Sequence, residues 1–363
     1  MPRQPLLLLL MALVTASTAL ALPRYSAQYG QSCHLCHVNP AGGGLRTAYG
    51  SQFFAGSEMA EKVLGMEEME LLSPKLSERV DLGLDLRGMA WLQQQPEANG
   101  APNRDGSSFF LMQGDLYLGL RISEKVQVVV EQSLRGEGES HALLQVLPWH
   151  GSVKVGRFLP NYGWRWADHN TAARQALGYA AGQADTGVEV ELHPDHFSLS
   201  LAVTNDNSGL MDGDDGKALT ARGLWQGQLA GMTLGLGLDG RISDRAPSAS
   251  RSISGLFAGL SKGPFTWTGQ LDRMEEAGHV GIALSHEAAW KLRRGLDLLF
   301  AHDFHDQDMN RASGAWTRQR LAMEWTPQPG LALQPALGIR EDSAPGLDKA
   351  RQLQAEIQIH IFM

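Results

Sequence analysis

Apolar and polar residues alternate with a period of two along most of the chain after about residue 78. Residues 80–87 carry Val or Leu at each even position and Asp, Gly or Arg at each odd one, and residues 352–361 repeat the alternation. Because successive side chains of a strand point to opposite faces, this period predicts strands with one apolar and one polar face. The pattern recurs often enough to predict about sixteen strands, which we favour over about fourteen.

The links between these strands alternate in length. Short links such as 123–125 and 262–264 follow the even strands, and longer links such as 95–107, 159–184 and 205–217 follow nearly every odd strand. Outer-membrane barrels combine tight periplasmic turns with long outside loops, whereas a soluble sandwich has no reason for this asymmetry. The predicted fold is therefore all-β, a transmembrane antiparallel β-barrel over residues 78–363 with its long loops outside the cell.

Two features of residue placement support the barrel. Six tryptophans lie near predicted strand ends, as an aromatic girdle requires: Trp91, Trp149, Trp225, Trp290, Trp316 and Trp325. Five arginines occupy the register opposite the apolar one and are expected in the lumen: Arg87, Arg121, Arg318, Arg320 and Arg340. The chain ends in a strand, as such barrels do, but Phe362 precedes Met363, so the terminal aromatic expected of a barrel is displaced by one residue.

The N-terminus and the composition restrict the class of protein further. Arg3, the apolar run Leu6–Val14 and Ala19-Leu20-Ala21 predict a secretory signal peptide over residues 1–21. The apolar run is too short for a membrane-spanning helix. A mean hydropathy of −0.21 excludes a polytopic helical membrane protein. Two Cys in 363 residues exclude a disulfide scaffold, and a net charge of −8 gives no indication of nucleic-acid binding.

The strongest chemical signal is Cys33-x-x-Cys36-His37, the attachment pattern of c-type haem. Two thiols at this spacing can add to the two haem vinyl groups, and the adjacent imidazole then binds the iron from the proximal side. A thioredoxin-like site lacks its βαβ context, a zinc site lacks further ligands at finger spacing, and a plain disulfide leaves His37 unexplained. We predict one covalent haem c held by Cys33, Cys36 and His37.

Residues 22–77 form a small cytochrome c module in this interpretation. Tyr49–Phe54 is expected to pack on a haem face, and Glu58–Leu72 has helical spacing. Met59, Met66 and His169 are weak candidates for the distal iron ligand, although a Met on such a helix is more often a core residue. A module of this length shields a haem poorly, and we therefore expect it within the barrel mouth or lumen. The lumen arginines can pair there with the haem propionates.

Three other segments contain residue types that can carry chemistry. The link 159–184 is rich in Trp, Tyr and Arg and predicts either an inward-folded loop or a surface cap. The acidic residues Asp206, Asp212, Asp214 and Asp215, and the segment 302–308 with its two His, contain metal-binding residue types, but solvated loops explain them better. No nucleophile elbow or catalytic triad is apparent, so an electron-transfer protein is favoured over an enzyme.

A leader peptide, one Cys-x-x-Cys-His motif and a large barrel in one chain resemble the fused monohaem cytochrome–porin family. The resemblance covers the architecture of the whole chain, and Cys33, Cys36 and His37 are its specific residues. It implies an outer-membrane protein of a Gram-negative bacterium that takes up electrons from extracellular Fe(II). Family members commonly carry a Phe-Pro-Glu-Leu-like stretch after the motif, whereas residues 38–44 read Val-Asn-Pro-Ala-Gly-Gly-Gly, which indicates a separate branch.

Three functions of different classes follow. The first is electron transfer between an extracellular metal ion or mineral and a periplasmic cytochrome through the haem, across the insulating core of the outer-membrane lipid. The second is a solute porin that a haem module plugs or gates. The third is a haem enzyme anchored by the barrel. A filled lumen favours the first, an open lumen the second, and an open sixth iron position the third.

Overall fold

The chain forms a closed barrel of sixteen antiparallel strands. The computed structural model describes residues 23–63, 73–94, 105–134, 136–180, 182–207, 212–213, 215–244, 250–343 and 350–363. The strands are β1 (Val80–Gln94), β2 (Gly106–Ser123), β3 (Val126–Ser133), β4 (Gly136–Leu144), β5 (Ser152–Phe158), β6 (Asp185–Leu192), β7 (Phe197–Thr204), β8 (Ala218–Leu229), β9 (Met232–Ser243), β10 (Arg251–Lys262), β11 (Phe265–Glu276), β12 (His279–Arg293), β13 (Leu296–Asp306), β14 (Trp316–Gln328), β15 (Leu331–Asp342) and β16 (Ala350–Phe362). Each strand pairs with its sequence neighbours, and β1 pairs with β16 to close the sheet. The predicted fold and strand number are confirmed.

The two ends of the barrel differ as the link lengths predict. We call the end with the tight links from even to odd strands the turn end, and the opposite end the loop end. The links β1–β2, β5–β6 and β7–β8 at the loop end are long. The links β3–β4 and β11–β12 are tight there as well, because residues 136–140 and 273–276 continue strands where loops were expected.

Side chains on the two faces of the wall have opposite character. Outward apolar side chains such as Leu236, Leu321 and Ile357 are about half exposed, while inward polar ones such as Glu189 and Asp272 are fully buried. An apolar exterior around a polar interior is typical of a barrel whose outer face contacts lipid. Within the described ranges, no helix is long and apolar enough to cross a bilayer.

The aromatic residues near the strand ends divide between the two faces. Trp290 lies on the outer face close to the turn end and is half exposed, as a girdle residue should be. Trp316 instead packs against the interior cluster, and the Arg340 guanidinium lies 4.4 Å from its ring centre. Phe362 is buried in the lumen under Arg46, so it does not act as a membrane-facing terminal aromatic.

Residues 23–63 lie inside the barrel near the turn end, and we call them the plug. The plug contains an α-helix (Pro23–Tyr29), a 3₁₀ turn (Cys33–Leu35) and a π-helix (Tyr49–Met59). Its contacts run around the wall: Ser26 accepts a hydrogen bond from Gln226 of β8, Arg24 pairs with Glu324 of β14, and Leu45 packs on Tyr117 and Val129. The predicted placement of the module within the barrel is confirmed for these residues. The signal peptide and residue 22 lie outside the described residues.

The helix predicted over Glu58–Leu72 is wrong for residues 60–63, which the structure describes as non-helical. The π-helix ends at Met59, and Ala60 is already extended. The backbone N–H groups of Glu61 and Val63 donate to the carbonyls of Thr326 and Pro327, so the end of β14 takes the donors that a helix would use. The remainder of the predicted helix, with Met66, lies outside the described residues.

The link 159–184 folds into the lumen, which decides between the two predicted alternatives. We call it the inward loop, and it contains a short α-helix (Ala172–Leu177). Tyr162 donates to Asp272 at 2.8 Å, and the Ala172 N–H donates to Asp303 at 2.9 Å. Arg318 pairs with Asp168 at 2.6 Å. Strands β11, β13 and β14 therefore bind the loop at separate points and hold it inside.

Candidate functional site

The Cys-x-x-Cys-His segment forms a compact turn on the plug. The N–H groups of Cys36 and His37 both donate to the carbonyl of Cys33, at 3.2 and 3.0 Å. His37 then pairs with Arg46 as a single antiparallel bridge, so the chain reverses between them. Three consecutive glycines make this reversal, with φ of +85° at Gly42, +73° at Gly43 and +66° at Gly44. Other residues adopt such backbone angles only with strain, so the glycines are needed to bring Arg46 beside the motif.

The three predicted haem residues are buried or half-buried. Neither Cys33 nor Cys36 forms a disulfide within the described residues, and burial raises the pKa of the Cys33 thiol and that of Cys36, the latter to about 12. Burial, with the nearby charges of Arg46 and Arg165, lowers the pKa of His37 to about 3, which keeps its imidazole neutral. One ring nitrogen of His37 is buried without a hydrogen-bond partner among the described residues. A neutral imidazole with a free nitrogen is what a metal ligand requires.

A cavity of about 550 Å³ lies beside Cys36 and His37. Its volume falls within the usual range of ~300–1,000 Å³ for ligand sites. The plug supplies an apolar wall of Tyr25, Phe54 and Met59. The lining continues to the loop end of the barrel, where it includes Phe110, Gly136 and Gly182. The cavity therefore connects the haem motif with the side on which the long loops lie.

Cys33 lies on the other side of the turn. It lines a small space with Trp164 and Arg165 of the inward loop and Arg222 of β8. Its Sγ is 3.3 Å from the place that a Cβ on Gly42 would occupy. The two Cys therefore face different neighbours, and the inward loop lines the same small space as Cys33.

Two of the distal-ligand candidates, Met59 and His169, line the cavity from different parts of the chain. Met59 packs against the cluster formed by Tyr25, Cys36 and Phe54 and lines the cavity. His169 lines the same cavity from the inward loop. Phe54 packs beside Cys36, whereas Phe53 stacks on Tyr49 and is 52% exposed.

The five predicted lumen arginines mostly have other partners. Arg318 binds Asp168 and Asp303, Arg320 binds Glu356 at 2.6 Å, Arg121 binds Asp81 and Arg340 binds Asp342. Only Arg87 lines the cavity with a buried N–H group, its Nε, that lacks a hydrogen-bond partner. Arg46 and Arg165 lie closer to the motif. Sequence reasoning missed Arg46, and it pointed to Arg165 only as part of a loop that could fold inward to meet the plug. Neither residue belongs to a strand, so the period-two pattern gave no signal for them.

The two stretches with metal-binding residue types do not converge on a site. Asp206 binds Arg241 and Ser243, and Asp212 binds Lys217. On β13, His302 points outward to Thr317 while Asp303 points inward to Arg318, because neighbouring strand residues face opposite sides. Asp214 lies outside the described residues. No group of three or more His, Cys, Asp or Glu side chains suited to a metal ion occurs in the described part of the chain.

Comparison with known proteins supports the fold. No family model and no curated protein matches the chain. The solved structure of OprB from Pseudomonas putida is similar over 85% of this chain and 99% of its own, with a TM-score of 0.61 and 12% identity. An anion-selective porin from Comamonas acidovorans covers 78% of this chain and 99% of its own, with a TM-score of 0.56 and 13% identity. OmpT of Vibrio cholerae, lacking its loop L8, gives a TM-score of 0.56 at 11% identity, over 78% of this chain and 99% of its own.

Proposed function

We propose that this chain is an outer-membrane electron-transfer protein of a Gram-negative bacterium, with one haem c on its plug. The observation that carries the proposal is the position of Cys33, Cys36 and His37. The motif lies inside a closed barrel, between a cavity that reaches the loop end and a plug surface at the turn end. A redox group at this point would lie within the thickness of the membrane and could be reached from both ends of the barrel.

The residues around the cavity suit a haem. From the lining of the cavity, Cys36 would supply one thioether, His37 the proximal ligand, and Tyr25, Phe54 and Met59 an apolar face. Cys33, which lines the small space on the other side of the turn, would supply the second thioether. Haem supplies reversible one-electron transfer, and its burial and ligands set the reduction potential. The protein's own contribution is to hold His37 neutral and to fix the motif in the lumen.

In this geometry a single redox group could carry electrons across the membrane. The hydrocarbon core is an insulating layer about 30 Å thick. A haem in this cavity would be approached from the loop end by an extracellular donor, such as dissolved iron, so the electron would not have to cross the whole layer. On the other side, Leu35 is 40% exposed, and Arg294 of the β12–β13 turn donates to the carbonyl of Ser57 on the plug. This exposed plug surface is where a periplasmic cytochrome would approach.

A solute porin with a plugged lumen is the second candidate. Its support is the likeness in fold to solved porins and a further cavity of about 430 Å³ beside His34 and His150 at the turn end. The plug and the inward loop both occupy the lumen, which disfavours rapid solute flow. The candidates differ in what crosses the membrane, so transport of electrons and of solutes must be measured on the same preparation.

Reconstitution in liposomes tests the proposal. Protein in vesicles that hold a trapped redox dye should change the oxidation state of the dye when an iron couple is added outside, and His37→Ala should abolish this. Cys33→Ala should remove the covalent haem from peroxidase-stained gels, while heat-dependent gel mobility reports a folded barrel. A wild-type protein without the stained band, or swelling of vesicles in sugar solution without dye reaction, would support the porin instead.

A further inference from the structure

We infer that Arg46, Arg87 and Arg165 form a carboxylate-binding site for the two propionates of the haem. The inference rests on the proposed haem and assigns residues that hold its charged edge. We call the three residues the arginine clamp. They come from three separate parts of the chain: Arg46 from the plug, Arg87 from β1 and Arg165 from the inward loop. All three line the cavity that contains Cys36 and His37.

Each guanidinium of the clamp is only partly satisfied. Arg46 donates to Asp85 at 3.2 Å, Arg87 donates to the Ala167 carbonyl at 3.0 Å, and Arg165 donates to Glu139. Nη1 of Arg46, Nε of Arg87 and Nη1 of Arg165 are nonetheless buried without a hydrogen-bond partner in the described chain. A buried charged donor without an acceptor is unfavourable. Three such donors around one cavity indicate an anionic ligand.

The carboxylates nearby are already engaged, so they do not supply the missing acceptors. Asp85 accepts from Arg46 and also binds His360 at 2.6 Å, with Nε of Arg87 at 3.5 Å in ion-pair range only. Glu139 accepts from Arg165, the Leu159 N–H and Asn39. The cavity as a whole carries acids as well as bases, so the unsatisfied N–H groups and not the net charge define the site.

A fourth arginine lies beside the clamp in the lining of the cavity. Arg174 of the inward loop donates to the carbonyls of Trp166 and Tyr179, at 2.7 and 3.2 Å. No carboxylate pairs with it within the described ranges. Burial, together with Arg165 and Arg87, lowers the pKa of Arg174 to about 9. An anion bound between these groups would relieve this repulsion.

Haem propionates match the clamp in charge and number of acceptors. Two carboxylates offer four oxygens, and guanidinium groups bind carboxylates through short, charge-assisted hydrogen bonds. Propionates held in this way would tie the plug, the barrel wall and the inward loop to one group. A small free carboxylate or inorganic anion has the same chemistry, so the experiment must separate the two sources.

The test is the reduction potential of the purified, haem-containing protein and of Arg46→Gln, Arg87→Gln and Arg165→Gln. Loss of a positive charge beside a propionate should disfavour the reduced haem by about tenfold, a fall of ~59 mV for one electron. Arg320→Gln is the matched control, because Arg320 lines the same cavity but already binds Glu356 and Gln334. Heat-dependent gel mobility confirms that each variant folds, and added succinate should leave the wild-type potential unchanged.

The outcomes separate the inference from the proposed function. Clamp variants that shift the potential no more than Arg320→Gln would overturn the clamp while leaving the haem in place. A wild-type potential that falls with succinate, an effect lost in Arg165→Gln, would mean that the site binds a free anion, and this too overturns the clamp. Absence of covalent haem in the wild type would refute the proposed function itself.

Discussion

The contact between Gly43 of the plug and Arg165 of the inward loop provides a sharp test of how the lumen is closed. Gly43 has φ +73°, and a Cβ built there would lie 2.6 Å from Nε of Arg165. Gly44 has φ +66°, and its Cβ would meet nothing closer than a ring carbon of Tyr117 at 3.9 Å. Gly43→Ala and Gly44→Ala therefore share the backbone strain, about 1–2 kcal/mol each. Only the first also displaces the Arg165 guanidinium.

That displacement should weaken the ion pair of Arg165 with Glu139, whose side chains are 26% and 10% exposed. Breaking a buried pair costs about 3–5 kcal/mol, and partial exposure reduces this to roughly 1–3 kcal/mol. If the contact holds the plug in place, Gly43→Ala should raise the open fraction of the lumen about 5- to 150-fold above that of Gly44→Ala.

Single-channel conductance in planar bilayers measures the open fraction directly. Gly43→Ala should show frequent openings, and Gly44→Ala should resemble the wild type apart from a small effect of backbone strain. Equal behaviour of the two variants would show that Arg165 does not restrain the plug. A double variant, Gly43→Ala with Arg165→Gln, should open no more than Arg165→Gln alone, because the clashing guanidinium is gone.

Three further predictions address the haem and the topology. Cys33→Ala should lose covalent haem on peroxidase-stained gels, and a persisting stained band would contradict the attachment site. Met59→Ala should change the iron from six- to five-coordinate in the absorption spectrum, because Met59 packs against the cluster that contains Cys36, whereas His169→Ala should not. The reverse result would assign His169 as the distal ligand, and no change in either variant would exclude both. Protease added to intact cells should cut within 205–217 but spare 159–184, because the inward loop is bound to the lumen wall; cuts confined to the tight turns would reverse the orientation.

The fold follows from local properties that can be read directly from the sequence. A period of two is a direct consequence of strand geometry, so the alternation in 80–87 and 352–361 predicts β1 and β16 without knowledge of any partner. A sheet of sixteen such strands closes into a barrel because closure pairs the first strand with the last and leaves no edge strand unpaired. The predicted haem motif is equally local, since it lies within five consecutive residues, Cys33 to His37.

Which segments fill the lumen depends on tertiary contacts. The inward loop is held by Asp272, Asp303 and Arg318, which lie more than a hundred residues away in the chain. The helix expected from Glu58 fails for the same reason, since β14 takes the backbone donors of Glu61 and Val63. Arg46 and Arg165 become neighbours of His37 only when the plug and the inward loop meet inside the closed wall. Such placements depend on the sum of many distant contacts, and no periodicity along the chain records them.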